Sequence, residues 1–414
     1  MRISRARLRQ HEGLWDIEVD GGRIGRVAPA AEDLLNLGPE DVDAGGRLVV
    51  PPFVENHIHL DYAETAGQPR QNETGTLFEG IRLWAERKEL GLHDVAGVKE
   101  RALTAVRRAA GHGYGANRTH VDVTDPELTG LHALLEVREE ISHWMDLQII
   151  AFPQNGAYAY PGGLELVERA LQEGADVVGG IPHLEPTRED GVASVRAVFD
   201  LAEKYDVPVD IHCDEIDDPS SRFVEVMAAE TTARGMQGRV TVAHAVAMGY
   251  YPRGYLDRLL PQLVEAGLGF AVCPNENLHL QGRGYGTPVP RGIAPVRTLT
   301  DWGLPVSFCQ DSVGDPWYPL GASDALRLVE SGLHVGHMLL PSYLDRALDF
   351  VTTHPARNLG LQGWEVAEGN PANLIILNAE TEQDAVRFNV DVLLSLHEGR
   401  EVFRRRPAST SWSV

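Results

Sequence analysis

Two histidines at the end of an apolar stretch are the first sign of chemistry in this sequence. His57 and His59 belong to the run LVVPPFVENHIHLD at positions 48–61. Side chains alternate along a strand, so both imidazoles would point to one face while Ile58 points to the other. Two neutral imidazoles roughly 6–7 Å apart on one face can share a divalent metal. The spacing therefore indicates a candidate metal site, although an HxH pair alone is a weak signal.

More polar side chains stand just after later apolar runs, in the same relation as the histidine pair: Gln154, His212, Glu215, His244 and Asp311. Their repetition at equivalent strand ends predicts one shared site. Imidazoles with one carboxylate suit Zn²⁺ or Fe²⁺, and such a metal lowers the pKa of bound water toward neutrality. Glu215 could then shuttle protons, whereas His244 could be a further ligand, a base or a stabiliser of negative charge. Spacing does not choose among these roles.

Eight short apolar runs alternate with helical segments and would position these residues. The predicted strands are 48–54, 116–123, 147–152, 175–181, 207–211, 240–243, 267–272 and 305–309. Segments such as 95–110 and 190–205 place apolar residues at helical spacing. Eight strand–helix units close most simply into an α/β barrel of the TIM type, in which the carboxyl ends of the strands form the active site.

The two ends of the chain have a different sequence pattern from the central part. Residues 1–50 alternate apolar and polar positions and turn at Asp20-Gly21-Gly22, and similar strands are predicted near 373–377, 390–396 and 400–403. Such alternation is typical of antiparallel strands. We therefore predict a β-rich domain formed by residues 1–50 and 368–414, and a catalytic barrel formed by residues 51–367.

Composition excludes several classes of partner. The net charge is −23, with 60 acidic against 37 basic residues, which opposes binding to the phosphates of a nucleic acid polymer. No run of 18 apolar residues occurs, so no membrane span is expected. The three cysteines, Cys213, Cys273 and Cys309, are an odd number beside apolar runs. We interpret them as buried hydrophobic residues of a protein in a reducing, cytoplasmic compartment.

Long runs of the sequence resemble the bacterial cytosine deaminases of the amidohydrolase superfamily. They include PPFVENHIHLD, GTLFEGIRLWAERK, RTHVDV, HCDEIDDPSSRFVE, NLHLQGR and DPWYPLG, and the resemblance covers nearly the whole chain. It implies a distorted (β/α)8 barrel with a β-sandwich built from both termini. It also implies a small-molecule pyrimidine base as substrate and a homo-oligomer, for which a hexamer is one form.

Carried over position by position, the resemblance implies one metal, iron or zinc, with the ligands His57, His59, His212 and Asp311. It makes Gln154 the residue that binds the amide edge of the pyrimidine. Glu215 would protonate ring N3, and His244 would be a general base beside the attacking water. Asp311 would also take a proton from that water and pass it to the departing amine, so that hydrolysis at C4 releases ammonia.

The sequence departs from the family next to the presumed reaction centre. The cytosine deaminases carry a second aspartate where this chain has Ser312, and commonly a bulkier apolar residue where it has Gly314. Both changes would make room beside C5, so we predict that 5-methylcytosine is a good substrate, with cytosine and 5-fluorocytosine also turned over. Trp317 and Phe78 are both candidates for lining the pocket, and ordinary packing is the preferred interpretation for Phe78.

Several alternatives remain open at this stage. The run Cys273-Pro274-Asn275-Glu276 differs from the family pattern, which leaves isoguanine or creatinine as possible substrates. A dihydroorotase or hydantoinase type would usually need two metals and a bridging lysine, which the ends of strands three and four lack. A catalytically silent barrel would be expected to lose a ligand, and none is lost. The HxE and PCxxC signature of the other zinc deaminases is absent.

Overall fold

The chain forms a barrel of parallel strands and a second sheet that joins its two ends. The computed structural model describes residues 1–9, 11–30, 38–408 and 411. The strands in these residues are β1 (Arg2–Leu8), β2 (Trp15–Asp20), β3 (Arg23–Pro29), β4 (Val42–Asp43), β5 (Leu48–Val50), β6 (Phe53–Ile58), β7 (Tyr114–Asp122), β8 (Asp146–Phe152), β9 (Val177–Gly180), β10 (Val209–Cys213), β11 (Val240–His244), β12 (Gly269–Val272), β13 (Val306–Phe308), β14 (Leu374–Leu377), β15 (Val392–His397) and β16 (Arg400–Arg404).

Helices lie mostly between the barrel strands. They are α1 (Leu77–Glu89), α2 (Val95–Gly111), α3 (Thr129–Ile141), α4 (Gly163–Gln172), α5 (Arg188–Tyr205), α6 (Phe223–Arg234), α7 (Arg253–Glu265), α8 (Pro274–Leu280), α9 (Val296–Asp301), α10 (Ala325–Val335), α11 (Pro341–Leu344), α12 (Thr353–Leu359) and α13 (Glu382–Phe388). The helices predicted at 95–110 and 190–205 correspond to α2 and α5. Asp94 and Thr187 cap these two helices by accepting hydrogen bonds from backbone amides of the first turn.

The barrel consists of β6 to β13 in sequence order, each paired in parallel with its neighbour. The seam between the first and last strands is closed by a bridge from Ile58 to Asp311. There the Asp311 amide donates to the His57 carbonyl at 2.8 Å, and the His59 amide donates to the Asp311 carbonyl at 3.0 Å. The predicted distorted (β/α)8 barrel is confirmed, and its seam is made by residues that were predicted to do chemistry.

A buried ion pair lies inside the barrel. Arg118 on β7 and Asp210 on β10 are fully buried, with Nη1 and Oδ2 3.3 Å apart. Burial lowers the pKa of Arg118 and raises that of Asp210 to about 6, because each charge has lost its hydration. The pair joins two strands that are not neighbours in the sheet, so it fixes the cross-section of the barrel below the site.

The terminal strands form one further sheet, in the order β16-β15-β14-β5-β1-β2-β3, with β4 paired to β1. Residues from both ends share one apolar cluster that includes Ile17, Ile24, Leu374 and Leu394. This agrees with the β-domain expected from the two termini. The division at residues 51 and 367 stays a prediction, and positions 10, 31–37, 409–410 and 412–414 of the predicted domain lie outside the described residues.

One strand boundary was wrong. The run 48–54 was predicted as a single barrel strand, but Leu48–Val50 pairs with β1 and β14 in the terminal sheet. The barrel strand begins only at Phe53 and continues to Ile58. The cause is Pro51-Pro52, since prolines cannot donate to a ladder and so end one sheet and let the chain enter the other.

Two predictions from composition can be compared with the structure. All three cysteines, Cys213, Cys273 and Cys309, are buried and free, as expected for small apolar side chains. Among the described helices, none combines the length and the apolar character needed to cross a membrane.

Candidate active site

The predicted site residues meet at the carboxyl ends of the barrel strands. A small cavity opens there, with about 300 Å³ of empty space when its solvent-filled mouth is included. Eight of the nine predicted residues line it: His59, Gln154, His212, Glu215, His244, Asp311, Ser312 and Trp317. The ninth, His57, is completely buried, and its ring centre lies 4.6 Å from that of His212.

Three imidazoles and one carboxylate converge within this cavity. The Nε2 atoms of His57 and His59 each lie 3.5 Å from Asp311 Oδ1. The Nε2 atoms of His59 and His212 are 3.1 Å apart. Burial lowers the pKa of His59 to about 3 and that of His212 well below its ordinary value. Both rings are therefore neutral, and their lone pairs are available to a cation.

These donors fit a divalent metal. Both ring nitrogens of His57 and the Nδ1 atoms of His59 and His212 are buried and have no hydrogen-bond partner among the residues that the structure describes. Buried polar atoms without partners are uncommon, and a shared cation would satisfy those that face one another. Neutral imidazole nitrogens with one carboxylate oxygen are the donor set that zinc and ferrous iron accept. The cluster of His and Asp side chains is therefore able to bind a metal.

His120 was missed by the sequence analysis. It lies on β7 inside the run RTHVDV, with its ring centre 4.2 Å from His57 and 4.4 Å from His212. The ligand atoms of these three histidines lie within 4.8 Å of one another, and both nitrogens of His120 lack a hydrogen-bond partner. The available signal was a histidine two positions before the end of a barrel strand.

A proton-transfer group lies beside the imidazole cluster. His244 Nδ1 is 3.6 Å from Glu215 Oε1 and 3.8 Å from Asp311 Oδ2. Burial, reinforced by the charge of Asp311, raises the pKa of Glu215 well above its ordinary value. Burial also opposes ionisation of Asp311, but the neighbouring His57 side chain outweighs it and lowers the pKa. Burial thus favours the protonated form of Glu215, while His57 favours the ionised form of Asp311.

Two of these side chains stand on strained backbone. His244 has a φ angle of 63° and Asp311 has a φ angle of 64°. Both values lie in the left-handed region, which residues other than glycine rarely adopt. Such conformations persist where the surrounding fold holds them, and they concentrate at functional sites. At both positions the strand has just ended, so the turn aims the side chain across the mouth of the barrel.

Gln154 is held by an aromatic group that the sequence analysis did not include. The Tyr62 hydroxyl donates to Gln154 Oε1 at 2.8 Å. The Tyr62 ring stacks on His59, with centres 4.7 Å apart and planes at 7°, and it also stacks on Trp317 at 5.0 Å. Because the amide oxygen receives the tyrosine proton, the amide nitrogen of Gln154 is left to donate into the cavity.

Ser312 lines the cavity together with a second residue that was not singled out, Glu276 at the start of α8. Ser312 is 2% exposed and Glu276 is 1% exposed. Burial raises the pKa of the Glu276 and Asp315 carboxyl groups, and the nearby Ser312 hydroxyl opposes this shift at both of them. The sequence difference at Ser312 is therefore accompanied by a carboxyl group supplied from α8.

The positions expected for Phe78 and Gly314 are corrected. Phe78 is 52% exposed on α1, because its neighbour Leu77 takes the place at the cavity wall. Gly314 does not line the cavity. A Cβ atom at this glycine would point at Glu64 Oε2, 3.3 Å away, so its small size does not enlarge the pocket. Of the two positions that differ from the family, only Ser312 lines the cavity.

Fold and site together define a hydrolase with a candidate metal centre at the mouth of a (β/α)8 barrel. A sequence model of the amidohydrolase family matches residues 40–403, and the chain belongs to this family.

More particular likenesses come from relatives that match nearly end to end. The chain is similar to 5-methylcytosine deaminase from Klebsiella pneumoniae, whose crystal structure with 5-fluorocytosine shares 47% identity over 100% of this chain and 99% of that one, with a TM-score of 0.97. The same enzyme with phosphonocytosine gives 47% identity and a TM-score of 0.96 over 99% of this chain and 100% of that one. N-isopropylammelide isopropyl amidohydrolase of Pseudomonas sp. (strain ADP) is 27% identical over 97% of this chain and 96% of its own.

Proposed function

We propose that this protein is a metal-dependent deaminase that converts 5-methylcytosine to thymine and cytosine to uracil, with release of ammonia. 5-Fluorocytosine is expected to react as well. The observation that carries the proposal is the 47% identity, over the whole chain, to a 5-methylcytosine deaminase, with every predicted site residue at the cavity or directly beneath it.

His57, His59, His212 and Asp311 would hold the metal, for which we propose one Fe²⁺ or Zn²⁺ per chain. When bound, the metal supplies a water molecule whose pKa is lowered toward neutrality. Two observations support this ligand set, namely the close approach of the four side chains and the ring nitrogens that have no other partner.

The substrate ring would be oriented by Gln154. With its oxygen fixed by the Tyr62 hydroxyl, the amide nitrogen donates to the ring carbonyl O2, and the free lone pair of the amide oxygen accepts from ring N1–H. Leu77, Leu280 and Trp317 supply apolar walls. Holding the ring in one orientation places C4 at the polar end of the cavity, where the proton-transfer groups are.

Glu215 and Asp311 would divide the proton transfers between them. Glu215, protonated because it is buried beside Asp311, gives its proton to ring N3 and so makes C4 electrophilic. The carboxylate of Asp311 takes a proton from the attacking water and passes it to the exocyclic amine, with His244 as the neighbouring base. The C4–O bond forms, the C4–N bond breaks, and nitrogen leaves as ammonia, while the remaining hydroxyl proton of the intermediate returns to Glu215 as the C4 carbonyl forms. General acid–base groups of this kind typically contribute 10²–10⁴-fold to a rate.

The preference for a methylated base is proposed from Ser312. Its side chain is small, and it lies in the cavity wall directly after Asp311, next to the carbon that reacts. Room for one methyl group there changes transition-state binding by about 1–3 kcal/mol, which is about 10–200-fold in specificity.

A second candidate reaction removes an alkylamine from a triazine ring, because two relatives are named for that reaction. One is the Pseudomonas enzyme, and the other is from Burkholderia multivorans, 28% identical with a TM-score of 0.82 over 97% of this chain and 98% of that one. Their lower identity makes it the weaker candidate. Isoguanine and creatinine are weaker still, since no observation specific to this chain favours them.

The deciding experiment is a substrate panel with the purified protein loaded with Fe²⁺ or Zn²⁺. Ammonia release from cytosine, 5-methylcytosine, 5-fluorocytosine, isoguanine, creatinine and N-isopropylammelide is compared, and bound metal is measured by elemental analysis. We expect one metal per chain and the highest kcat/KM with 5-methylcytosine. A Glu215→Gln control, prepared identically, excludes a host deaminase as the source of activity. Turnover of N-isopropylammelide alone would overturn the proposal.

The cellular compartment and the oligomeric state are proposed from less specific observations than the reaction is. Three buried free cysteines are compatible with a reducing, cytoplasmic compartment, and we propose a homo-oligomer. Light scattering coupled to gel filtration would test the latter, with a monomer mass of 45.4 kDa as the result that contradicts it.

A further inference from the structure

In the substrate orientation proposed above, polar residues are left to face C5 of the ring. In a pyrimidine, C4 stands between N3 and C5, so a wall that meets C5 must lie across C4 from the group at N3. If Glu215 serves N3 and Gln154 serves the O2 and N1 edge, as proposed above, the polar lining residues without a ring position are Ser312 and Glu276.

Glu276 has an oxygen that nothing in the protein satisfies. The residue is 1% exposed, and its Oε2 has no hydrogen-bond partner among the described residues. Buried carboxyl oxygens are nearly always hydrogen-bonded in folded proteins. Because Glu276 also lines the cavity, a polar group on a bound ligand would complete the hydrogen bonding of this carboxyl group.

A methyl group at C5 would leave that oxygen unsatisfied. Ser312 and Glu276 offer a hydroxyl and a carboxyl group at the same wall, with Asp315 behind them in contact with Ser312. A hydroxyl on the substrate can both donate and accept, so it pairs with a carboxylate or with a carboxylic acid. A hydrogen bond between a substrate hydroxyl and Glu276 is therefore possible in either protonation state of the carboxyl group.

We infer that the C5 wall accepts a substituent bearing a hydroxyl group, and that 5-hydroxymethylcytosine is deaminated to 5-hydroxymethyluracil. The inference rests on the proposed function and extends its substrate class. The reaction is the same hydrolysis, in which water replaces the amine at C4, ammonia leaves, and the hydroxymethyl group is unchanged.

The sharpest test compares two substituents of nearly equal shape. In 5-ethylcytosine a methyl group stands where 5-hydroxymethylcytosine has its hydroxyl, so the pair separates hydrogen bonding from space. With the metal-loaded wild-type protein we expect kcat/KM for the hydroxymethyl base to exceed that for the ethyl base by about tenfold or more, since a site built for a hydroxyl rejects an analogue that lacks it. Equal rates, or a faster ethyl base, would overturn the inference.

Substitutions at Glu276 test whether this residue causes the preference for the hydroxymethyl base over the ethyl base. Glu276→Leu should bring the ratio of the two kcat/KM values close to one, whereas Glu276→Gln should keep a preference for the hydroxymethyl base because its amide still donates and accepts. A Leu variant with the wild-type ratio would count against the assignment. The wild-type comparison stands even if a variant does not fold.

Parallel assays with 5-methylcytosine separate this inference from the proposed function. Turnover of the methyl base without the hydroxymethyl base would remove the inference alone. No turnover of any cytosine by metal-loaded protein would remove both.

Discussion

Replacement of Ser312 by aspartate is the most direct probe of specificity. Ser312 lies in the cavity wall after Asp311 and is 2% exposed. A carboxylate at this position adds two heavy atoms to a cavity of about 300 Å³. It also introduces a negative charge close to Glu276 and Asp315, which already contact the serine hydroxyl. Both effects remove space and favourable solvation from the C5 side of the ring.

The expected magnitude follows from the size of one methyl group. Excluding a methyl group that was accommodated costs about 1–3 kcal/mol in the transition state, or about 10–200-fold in kcat/KM. Cytosine has only hydrogen at C5, so it should lose less. The ratio of kcat/KM for 5-methylcytosine to that for cytosine should therefore fall by about tenfold or more in Ser312→Asp.

A competition assay measures that ratio without active-site titration. Both bases are supplied together to one enzyme sample, and thymine and uracil are quantified by chromatography. Ser312→Ala is the matched control, since it removes the hydroxyl without filling the space, and it should keep the preference for the methylated base. An aspartate variant that loses activity equally toward both bases would refute the argument, because the defect would then not lie at C5.

Three further predictions follow from the contacts described above. Tyr62→Phe should raise KM more than it lowers kcat, by about 3–10-fold, because it removes one hydrogen bond of about 0.5–1.5 kcal/mol that orients Gln154. Tyr205→Phe, which removes a 2.8 Å surface hydrogen bond to Glu168, should leave both constants unchanged, and an equal effect of the two variants would contradict the assigned role. Glu215→Gln should lower kcat by about 10²–10⁴-fold in single-turnover assays, and near-normal turnover would exclude it as the acid. Arg118→Met should destabilise the fold by about 3–5 kcal/mol in urea unfolding because Asp210 stays buried without its partner, and the double replacement by Met and Leu should recover stability.

The fold could be predicted because its strands are continuous apolar runs separated by amphipathic helices. Parallel strands covered on both faces have this pattern, and the boundary that failed lay at Pro51-Pro52, where one apolar run serves two sheets. Periodicity does not show a change of sheet within a run. Phe78 failed for a related reason, since Leu77 and Phe78 are adjacent apolar residues and only the packing of α1 decides which one faces inward.

Within the site, the residues at the ends of the predicted apolar runs were recoverable, whereas His120, Tyr62 and Glu276 were not. His120 lies inside β7, where a polar residue looks like part of the strand, and Tyr62 lies beyond the HxH strand in an irregular segment. Glu276 comes from a helix of seven residues, so no strand end marks it. The three meet the cavity only through tertiary packing, which neighbouring residues in the sequence do not encode.

The closure of the barrel has a consequence for when the proposed ligand set can exist. His57 and His59 are hydrogen-bonded to Asp311 through their main chains, so the strand that opens the barrel and the segment that completes it are tied together at the ligands themselves. During synthesis His57 and His59 therefore cannot form these hydrogen bonds until residue 311 has left the ribosome and the barrel has folded. Tight cation uptake would therefore report the completed barrel, and a chain truncated before that aspartate would retain the histidines without the arrangement that makes them useful.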